Sequence, residues 1–486
     1  MKKLFLLVLL VYPFLLTGQT QKVSLNDAIT MAQENSLDYK TLLNRNEGSY
    51  WRNKNYYASF LPQFRLNATL PSYSKSINRI TNDDGQDIFV SQNQSVIDAQ
   101  LSLTQSIPFT GGDFSISSKV ERIDIFGDNS SQGYFVVPFS VNYFQNALFY
   151  NSYKWDKKIE PLVFEESKRE FVEGMEDISL KTCRLYFALL TSQVQLRISK
   201  KNLFNQDTLF QIAQGRYKMG KIAENELLQM ELSLLNFKNE ITTNKIALKR
   251  TSQNLARHLD LQNENLELEI PANLTLFEVD TEKAIKEAES NRAFVIEYRR
   301  KRLESEKELA RVRGENGVGI NVRANFGISQ QGPEFDNLFQ DYNQQQTLRV
   351  TLGIPIFDWG VSKSKRRLAK ANLNLLSNTL EQEQQAFEQE IYLHTLNWAN
   401  QRDFLATSEK AQEIAIKRHD ITQKRYLLGK ITITDLILAQ EEKDRSVVQY
   451  LNSLGEFWVN YYTLRRLTLY DFINDKKIEV KDISFK

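Results

Sequence analysis

The chain has 486 residues, 62 of them basic and 60 acidic, and a mean hydropathy of −0.44. Balanced charge argues against a nucleic-acid-binding protein, which would carry a basic excess or a basic patch. The single cysteine, Cys183, excludes a disulfide framework, and the low counts of proline (nine) and glycine (nineteen) favour long helices.

The first 18 residues are typical of a secretory signal peptide. They contain two lysines, then an apolar run, and cleavage is expected near Gly18. A membrane anchor is the alternative, but the run is shorter than the roughly 20 residues of a spanning helix. We therefore expect an exported protein.

Two internal matches predict a tandem duplication. Residues 28–36 resemble 284–292 at an offset of 256, and residues 214–222 resemble 423–431 at an offset of 209. The offsets differ by 47 residues, which are extra material in the first half, between about 71 and 138. The first predicted repeat covers 19–259, with a helix over 24–58, strands within 62–146 and helices over 148–218 and 222–259. An inter-repeat segment follows over 260–280. The second predicted repeat covers 281–470, with a helix over 281–315, strands over 318–329 and 347–356 and helices over 358–427 and 432–470, and a tail covers 471–486.

The strand windows alternate apolar and polar residues. One apolar face carries Leu348, Val350, Leu352, Ile354 and Ile356, and similar windows lie at 64–70, 97–103, 113–125, 134–146 and 318–328. This pattern fits either a half-buried strand of a sandwich or a transmembrane barrel strand with a polar lumen. The long helices are too polar to cover the apolar face, which favours the barrel. Since sheet edges cannot stay open in lipid, several chains would have to close it.

Two helical runs of roughly 70 residues would each span about 105 Å. Each ends at a glycine, Gly220 or Gly429, which suits the left-handed position that closes a helix. Asn225 and Thr434 are the candidate N-caps of the helices that run back.

The last helix carries an apolar seam at spacings of four and three, which predicts coiled-coil packing. The seam consists of Val447, Leu451, Leu454, Trp458 and Tyr461. Elsewhere the apolar stripe is thin. It fits either the wall of a water-filled tube or a solvated coiled-coil rod.

No catalytic or metal-binding pattern is found. His258, His394 and His419 lie far apart in sequence and lack metal-ligand spacing. The "TGGD" and "GVGI" segments have no phosphate-loop pattern. We expect no enzyme activity, no cofactor and no metal.

The duplicated halves, "IPIFDWG" at a strand-to-helix junction and "RYLLGKITITDLILAQ" at a helix tip resemble the TolC-type outer membrane efflux proteins. The resemblance covers nearly the whole chain after the signal segment. It implies a membrane α+β fold: a homotrimer with a shared transmembrane β-barrel in the lipid of the outer membrane, continued by a long α-helical coiled-coil barrel across the periplasm. It implies a channel for efflux or type I secretion that works with a periplasmic adaptor and an inner-membrane transporter. A non-conducting periplasmic scaffold or adhesin is the alternative.

The resemblance also places a periplasmic gate at the second tip. It assigns Tyr426 and Asp435 to the gate, with Tyr217 and Glu226 as their first-half counterparts. An acidic residue near a helix N-terminus also has an ordinary explanation, because it stabilises the helix dipole.

Two positions depart from the gate of well-studied members. Ile431 stands where those proteins have an arginine, and Leu438 stands where they have a second acidic residue. An arginine–aspartate latch is therefore not expected.

Two further sets of residues follow from the resemblance. The residues that contact the adaptor are expected at the tips, namely Gly220, Lys221, Gly429 and Lys430. The membrane-boundary residues are expected at the junction, namely Pro355, Phe357, Trp359 and Gly360.

The number of strands is a third departure. Two strands per half would give twelve in a trimer, whereas the first half here has four candidates. The extra hairpin either adds strands to the barrel or forms a flap, and the sequence leaves both open.

Overall fold

A computed structural model of the chain describes residues 21–81, 84–127, 130–271 and 277–479. The predicted signal peptide and the end of the tail lie outside these residues. The described residues form two compact units. We call residues 21–45, 169–292 and 387–479 the helical unit, and residues 46–168 and 293–386 the sheet unit.

The helices of the two halves have matching bounds. Helix α5 begins 256 residues after α1, and α7 begins 209 residues after α3, which are the two offsets read from the sequence. The described helices are α1 (Leu25–Asn35), α2 (Leu37–Ala58), α3 (Ser152–Lys218), α4 (Glu224–His258), α5 (Thr281–Asn291), α6 (Ala293–Glu315), α7 (Val361–Leu427) and α8 (Ile433–Thr468). The spacing of these helices repeats the two sequence offsets, and the duplication itself stays a prediction. Among the described residues, none of the helices is both long and apolar enough to cross a membrane.

The predicted continuous helices over 24–58 and 281–315 were wrong, because each is two helices. Ser36 and Arg292 separate them in extended conformations, with ψ of 153° and 151°. The Ser36 hydroxyl accepts a hydrogen bond from the backbone N–H of Tyr39 (3.0 Å) and so begins the next helix. The break is therefore a local side-chain effect at Ser36.

The described residues also contain ten strands. They are β1 (Gln21–Val23), β2 (Gln63–Thr81), β3 (Asp87–Ile107), β4 (Gly112–Phe126), β5 (Ser131–Gln145), β6 (Leu266–Leu268), β7 (Gly319–Gly332), β8 (Asn343–Gly353), β9 (Tyr470–Asp471) and β10 (Lys476–Lys477). Six of them form one antiparallel sheet in the order β2-β3-β4-β5-β7-β8. All four candidate strands of the first half are therefore present and belong to this sheet.

The prediction for the last strand was wrong at both ends. Strand β8 begins at Asn343 and ends at Gly353, rather than covering 347–356. Pro355 has no N–H to donate to a ladder, so pairing ends before it. Ile354 and Ile356 lie beyond the strand.

The helical unit has its own apolar core. Tyr186 and Leu189 are fully buried there, and the Tyr186 hydroxyl donates to the carbonyls of Val23 (2.9 Å) and Glu269 (2.6 Å). These bonds fix the parallel β1–β6 pair against α3. The predicted seam of α8 is confirmed as a packed face, since Leu451, Leu454 and Tyr461 are buried and Val447 and Trp458 pack against the same core.

Candidate functional site

The six-stranded sheet exposes large apolar side chains on one face. Phe64 on β2 and Leu348 on β8 are each 75% exposed, and Leu66 and Val350 are 68% and 61% exposed. Soluble proteins rarely leave such a contiguous apolar surface in water. This face is therefore built to meet an apolar environment.

Near the end that joins the long helices, the opposite face of the sheet is polar across all six strands. One row of directly opposed residues runs from β2 to β8 and consists of Gln63, Thr104, Ser115, Asn142, Asn325 and Thr347. The Asn325 amide donates to Asn142 Oδ1 at 2.5 Å, and the Asn142 amide donates to Ser140 Oγ at 3.2 Å. A polar face backed by an apolar one is the pattern of a barrel wall with a wet lumen.

The apolar residues of neighbouring strands are in phase. Another row of directly opposed residues consists of Phe64, Leu103, Ile116, Val141 and Phe326. A one-residue slip of any strand would move its apolar residues to the polar face. The register of the five strands is therefore set consistently.

The junction after β8 is a short capped turn. Asp358 accepts hydrogen bonds from the N–H groups of Gly360 (2.9 Å) and Ser362 (2.8 Å), which caps the start of α7. Gly360 has φ of +84°, a conformation that glycine adopts without strain. The cap was missed in the sequence, although an Asp just before a helix is its usual signal.

The aromatic residues predicted for the membrane boundary lie in this turn. Phe357 is 71% exposed and Trp359 is 89% exposed, and their ring centroids are 4.6 Å apart. Exposed aromatic pairs of this kind are enriched where membrane meets water. The geometry agrees with a boundary role, which stays a prediction.

Both helix tips close by the same backbone arrangement. Gly220 and Gly429 have φ of +67° and +69°, as predicted. The Gly220 N–H donates to the Tyr217 carbonyl (2.8 Å), and the Gly429 N–H donates to the Tyr426 carbonyl (2.9 Å). The backbone N–H of Lys221 donates to the Arg216 carbonyl, and the backbone N–H of Lys430 donates to the Arg425 carbonyl. These bonds complete a Schellman motif at each tip.

The predicted N-caps of the return helices, Asn225 and Thr434, were wrong. Thr432 caps α8: its hydroxyl oxygen accepts a hydrogen bond from the Asp435 backbone N–H (3.3 Å), and Asp435 Oδ2 accepts one from the Thr432 backbone N–H (3.2 Å). Ala223 precedes α4 and has no side chain that can cap. The N-cap position of each return helix therefore lies two residues earlier in the chain than predicted.

Tyr426 is buried where the two tips of the chain meet. It is 4% exposed and packs in a cluster with Leu209, Ala213, Met230, Ile433 and Leu436. Burial raises the pKa of its hydroxyl. Its first-half counterpart, Tyr217, is 40% exposed and lies outside this cluster.

Arg216 is a contact that the sequence analysis did not identify. Its guanidinium donates to the carbonyls of Leu427 (2.8 Å) and Tyr426 (3.4 Å), and it lies 5.4 Å from the centre of the Tyr426 ring. Arg216 therefore joins the end of α3 to the end of α7. A basic residue in the last turn of a helix usually serves the helix dipole, so no sequence signal singled it out.

The acidic residues predicted for the gate lie near this contact. Asp435 serves the capping box of α8, and Glu226 lies in the first turn of α4. Both residues line a groove between the tips together with Lys221, Lys430 and Arg216. The capping geometry gives Asp435 a structural role that requires no gating.

The histidines lie inside the helical unit. His258 Nε2 is 2.9 Å from Thr182 Oγ1, and His394 Nε2 is 2.9 Å from the Asn460 carbonyl. Burial lowers the pKa of both and of His419. Within the part of the chain that the structure describes, no group of His, Cys, Asp and Glu side chains could hold a metal ion.

Comparison with known proteins agrees with this geometry. The family model described as outer membrane efflux protein matches residues 319–468, from β7 to the end of α8. No curated protein sequence matches the chain.

Three solved structures are similar over most of their length. The CmeC outer membrane channel of Campylobacter jejuni superposes with a TM-score of 0.67 at 15% identity, over 91% of this chain and 85% of that chain. VceC of Vibrio cholerae superposes with a TM-score of 0.63 at 14% identity, over 92% of this chain and 95% of that chain. The open state of the MtrE outer membrane channel of Neisseria gonorrhoeae superposes with a TM-score of 0.60 at 12% identity, over 91% of this chain and 88% of that chain. The chain has the fold of these outer membrane channels, and the resemblance to the TolC-type efflux proteins is confirmed.

Proposed function

We propose that the chain is an outer membrane channel of a tripartite efflux or type I secretion system. Three copies form one duct, which conducts substrates across the periplasm and the outer membrane by gated passive passage. The observation that carries this proposal is the bare six-stranded sheet, apolar on one face and polar on the other.

A lipid environment explains that sheet better than a protein cover does. The apolar face is exposed on the inner strand β7 as well as on the edge strands, with Phe326 46% exposed. Exposing apolar side chains to lipid has no free-energy cost, whereas the polar side chains of the other face need contact with water. Both conditions are met in the wall of a water-filled barrel.

The tips would form the gate and the docking surface. For the periplasmic mouth to open, the ends of α7 and α8 must move away from α3 and α4, and Tyr426 and Arg216 hold these ends together. Met219 and Leu428, which directly precede the tip glycines, are 63% and 71% exposed. Exposed apolar residues at both tips fit contact with a periplasmic adaptor through the turns of Gly220–Lys221 and Gly429–Lys430.

The competing function is a non-conducting periplasmic scaffold or adhesin. Such a protein would work entirely in water and would need no lipid-facing band. The exposed apolar face of the sheet therefore counts against it.

A matched pair of variants of strand β8 tests the proposal. Val350→Arg places a charge on the apolar face, at a cost of about 2–4 kcal/mol if that face meets the middle of a bilayer. Thr351→Arg places the same charge on the adjacent polar face, where water is available. We expect Val350→Arg to abolish recovery of the trimer from outer membranes, and Thr351→Arg to leave it.

Purified trimers should also conduct ions in planar bilayers. A protein that stays in the aqueous fraction, gives no conductance and tolerates both arginines equally would support the scaffold. Identification of the transporter and adaptor that copurify with the detergent-solubilised trimer would then separate efflux from secretion.

A further inference from the structure

We infer that β3 and β4 are part of the barrel wall, so that three copies close an eighteen-stranded barrel, six strands from each chain, with a correspondingly wide outer membrane pore. This inference rests on the proposed trimeric channel. The occupant of each open edge of the sheet is a second copy of this chain.

The extra strands β3 and β4 are paired with neighbouring strands on both sides along most of their length. The β2–β3 ladder runs from Gln63↔Thr104 to Thr81↔Asp87. The β3–β4 ladder runs from Ile107↔Gly112 to Asn93↔Phe126, and β4 continues into β5 with pairs up to Ile125↔Ser131. A hairpin folded out of the wall would leave β2 beside β5, and the observed ladders exclude that arrangement within the chain.

Near the end of the sheet that joins the long helices, the extra strands also share the alternation of their neighbours. Thr104 on β3 and Ser115 on β4 lie in the all-polar row, between Gln63 and Asn142. Leu103 and Ile116 lie in the apolar row, between Phe64 and Val141. A flap in water would have no reason to place its apolar residues in phase with a lipid-facing wall.

The β3–β4 turn is held at the junction end of the sheet. The Asn151 side-chain amide donates to the carbonyls of Pro108 (2.9 Å) and Phe109 (3.3 Å), and its Oδ1 accepts from the Lys154 N–H (3.1 Å). One side chain therefore caps α3 and holds the turn. The extra hairpin is thus fixed to the start of the long helix.

The "TGGD" sequence of this turn permits the close approach. Gly111 has φ of +84°, and a Cβ there would lie 2.9 Å from the Asn151 side chain. A Cβ on Gly112 would lie 2.6 Å from the Gln145 side chain and 2.8 Å from the Phe144 carbonyl. Any larger residue would push the turn away from β5 and α3.

The same turn carries an exposed aromatic residue. Phe109 is 93% exposed, and it lies at the end of the sheet from which the chain enters α3 and α7. Phe357 and Trp359 lie at that end as well. The extra hairpin therefore contributes to the aromatic boundary in the same way as the junction after β8.

The open edges of the sheet are complementary. Because the six strands alternate in direction, β2 runs away from the junction and β8 runs towards it, so β8 of one copy meets β2 of the next as an antiparallel pair. Strand β8 is exposed on both faces along its whole length. Pro71 lies at the irregularity between Thr69 and Ser72, so pairing between copies is expected along residues 63–70 of β2.

The consequence is a wider outer membrane pore. Barrel diameter grows roughly linearly with strand number, so eighteen strands give about 1.5 times the diameter of twelve. Barrels of this size leave an aqueous channel, and the polar row of the sheet would line it.

The direct test is cryo-electron microscopy of the full-length protein in detergent. Eighteen strands in a three-fold barrel, with β3 and β4 in the wall, are expected. A trimer with twelve strands and β3–β4 outside the wall would overturn this inference and leave the channel intact. A particle without three-fold symmetry would overturn the proposed trimer itself.

Cysteine cross-linking gives a second measurement in native membranes. A cysteine in place of Arg65 on β2 is combined in turn with one replacing Thr347, Arg349 or Thr351 on β8. At least one pair should give covalent dimers and trimers on non-reducing gels. Cys183 gives little background, since it is fully buried and burial raises the pKa of its thiol.

The control pair joins Arg65→Cys with Ser140→Cys on β5. In the six-stranded sheet these positions are three strands apart, about 14 Å at about 4.8 Å per strand, too far for a disulfide. A disulfide within one chain at this pair, without any cross-linking between copies, would indicate that β2 pairs with β5 and would overturn the inference.

Discussion

The helical unit and the sheet unit place their apolar residues in opposite ways. In the helical unit Tyr186, Leu189 and Leu454 are fully shielded from solvent by their own chain. In the sheet unit Phe64 and Leu348 remain three-quarters exposed. The first unit carries its own core, whereas the second depends on surroundings that the single chain does not supply.

Under the proposed function, this difference means that the two units are stabilised by different solvents. Burial against water provides the main free energy for the helical unit, as in soluble proteins. In the proposed trimeric channel, lipid would cover the apolar face of the sheet unit, and neighbouring copies would pair with its open edges. Variants in the two units should therefore fail in different ways, which can be measured.

The largest effect is expected for the buried ion pair of the helical unit. Arg465 binds Glu176 through two hydrogen bonds of 2.9 Å, and Glu176 is 2% exposed. Arg465→Met would leave this carboxylate buried without its partner, at a cost of about 3–5 kcal/mol in the free energy of unfolding. Thermal unfolding followed by circular dichroism should show the loss.

The control for this variant is Lys410→Met, because the Lys410–Glu413 pair is exposed at the surface. Such pairs contribute about 0–1 kcal/mol. Equal destabilisation by both variants would contradict the assignment of the helical unit as a region stabilised by its interior.

The second effect concerns the tip of the helical unit. Gly429→Pro removes the N–H that binds the Tyr426 carbonyl and forces φ from +69° to about −65°. We expect the variant to remain a trimer in the membrane and to lose export, seen as loss of copurifying adaptor. Normal copurification and export would contradict a docking role for this tip.

A smaller effect is expected for the contact between the two tips. Arg216→Ala removes the hydrogen bonds to Leu427 and Tyr426, and because the bond to Leu427 is exposed to solvent we expect a total loss of about 1–2 kcal/mol. If the tips form the gate, single-channel recordings should show higher conductance or more frequent opening. Arg425→Ala is the matched control, since that side chain is exposed one residue before Tyr426. Equal behaviour of the two variants would remove Arg216 from the gate.

The smallest effect is a dependence of the helical unit on pH. Burial lowers the pKa of His258, His394 and His419 in the folded chain, so the unfolded chain binds protons first as pH falls through about 6.5. Stability should therefore be full above this pH and decrease below it. His394→Gln should reduce the slope of melting temperature against pH between 7.5 and 5.5, and an unchanged slope would contradict the assignment.

Local patterns in the sequence predicted much of the fold. Alternation at 318–328 and 348–352 predicted strands whose apolar residues share a face, because the period of two is a property of the extended backbone. The glycines at 220 and 429 predicted the tips, because few other residues adopt a left-handed conformation without strain. The caps at Ser36 and Thr432 were missed, since several polar residues nearby are equally suited to capping.

The sequence by itself determined the fold class, because the amphipathic strands and the long polar helices follow from spacing and composition along the chain. Only the tertiary structure decided that Tyr426 is a core residue, that Arg216 reaches the second tip, and that β3 and β4 join the main sheet. These features depend on pairs of residues far apart in the chain. Periodicity reports which face of an element is apolar, but it carries no information about which element that face meets.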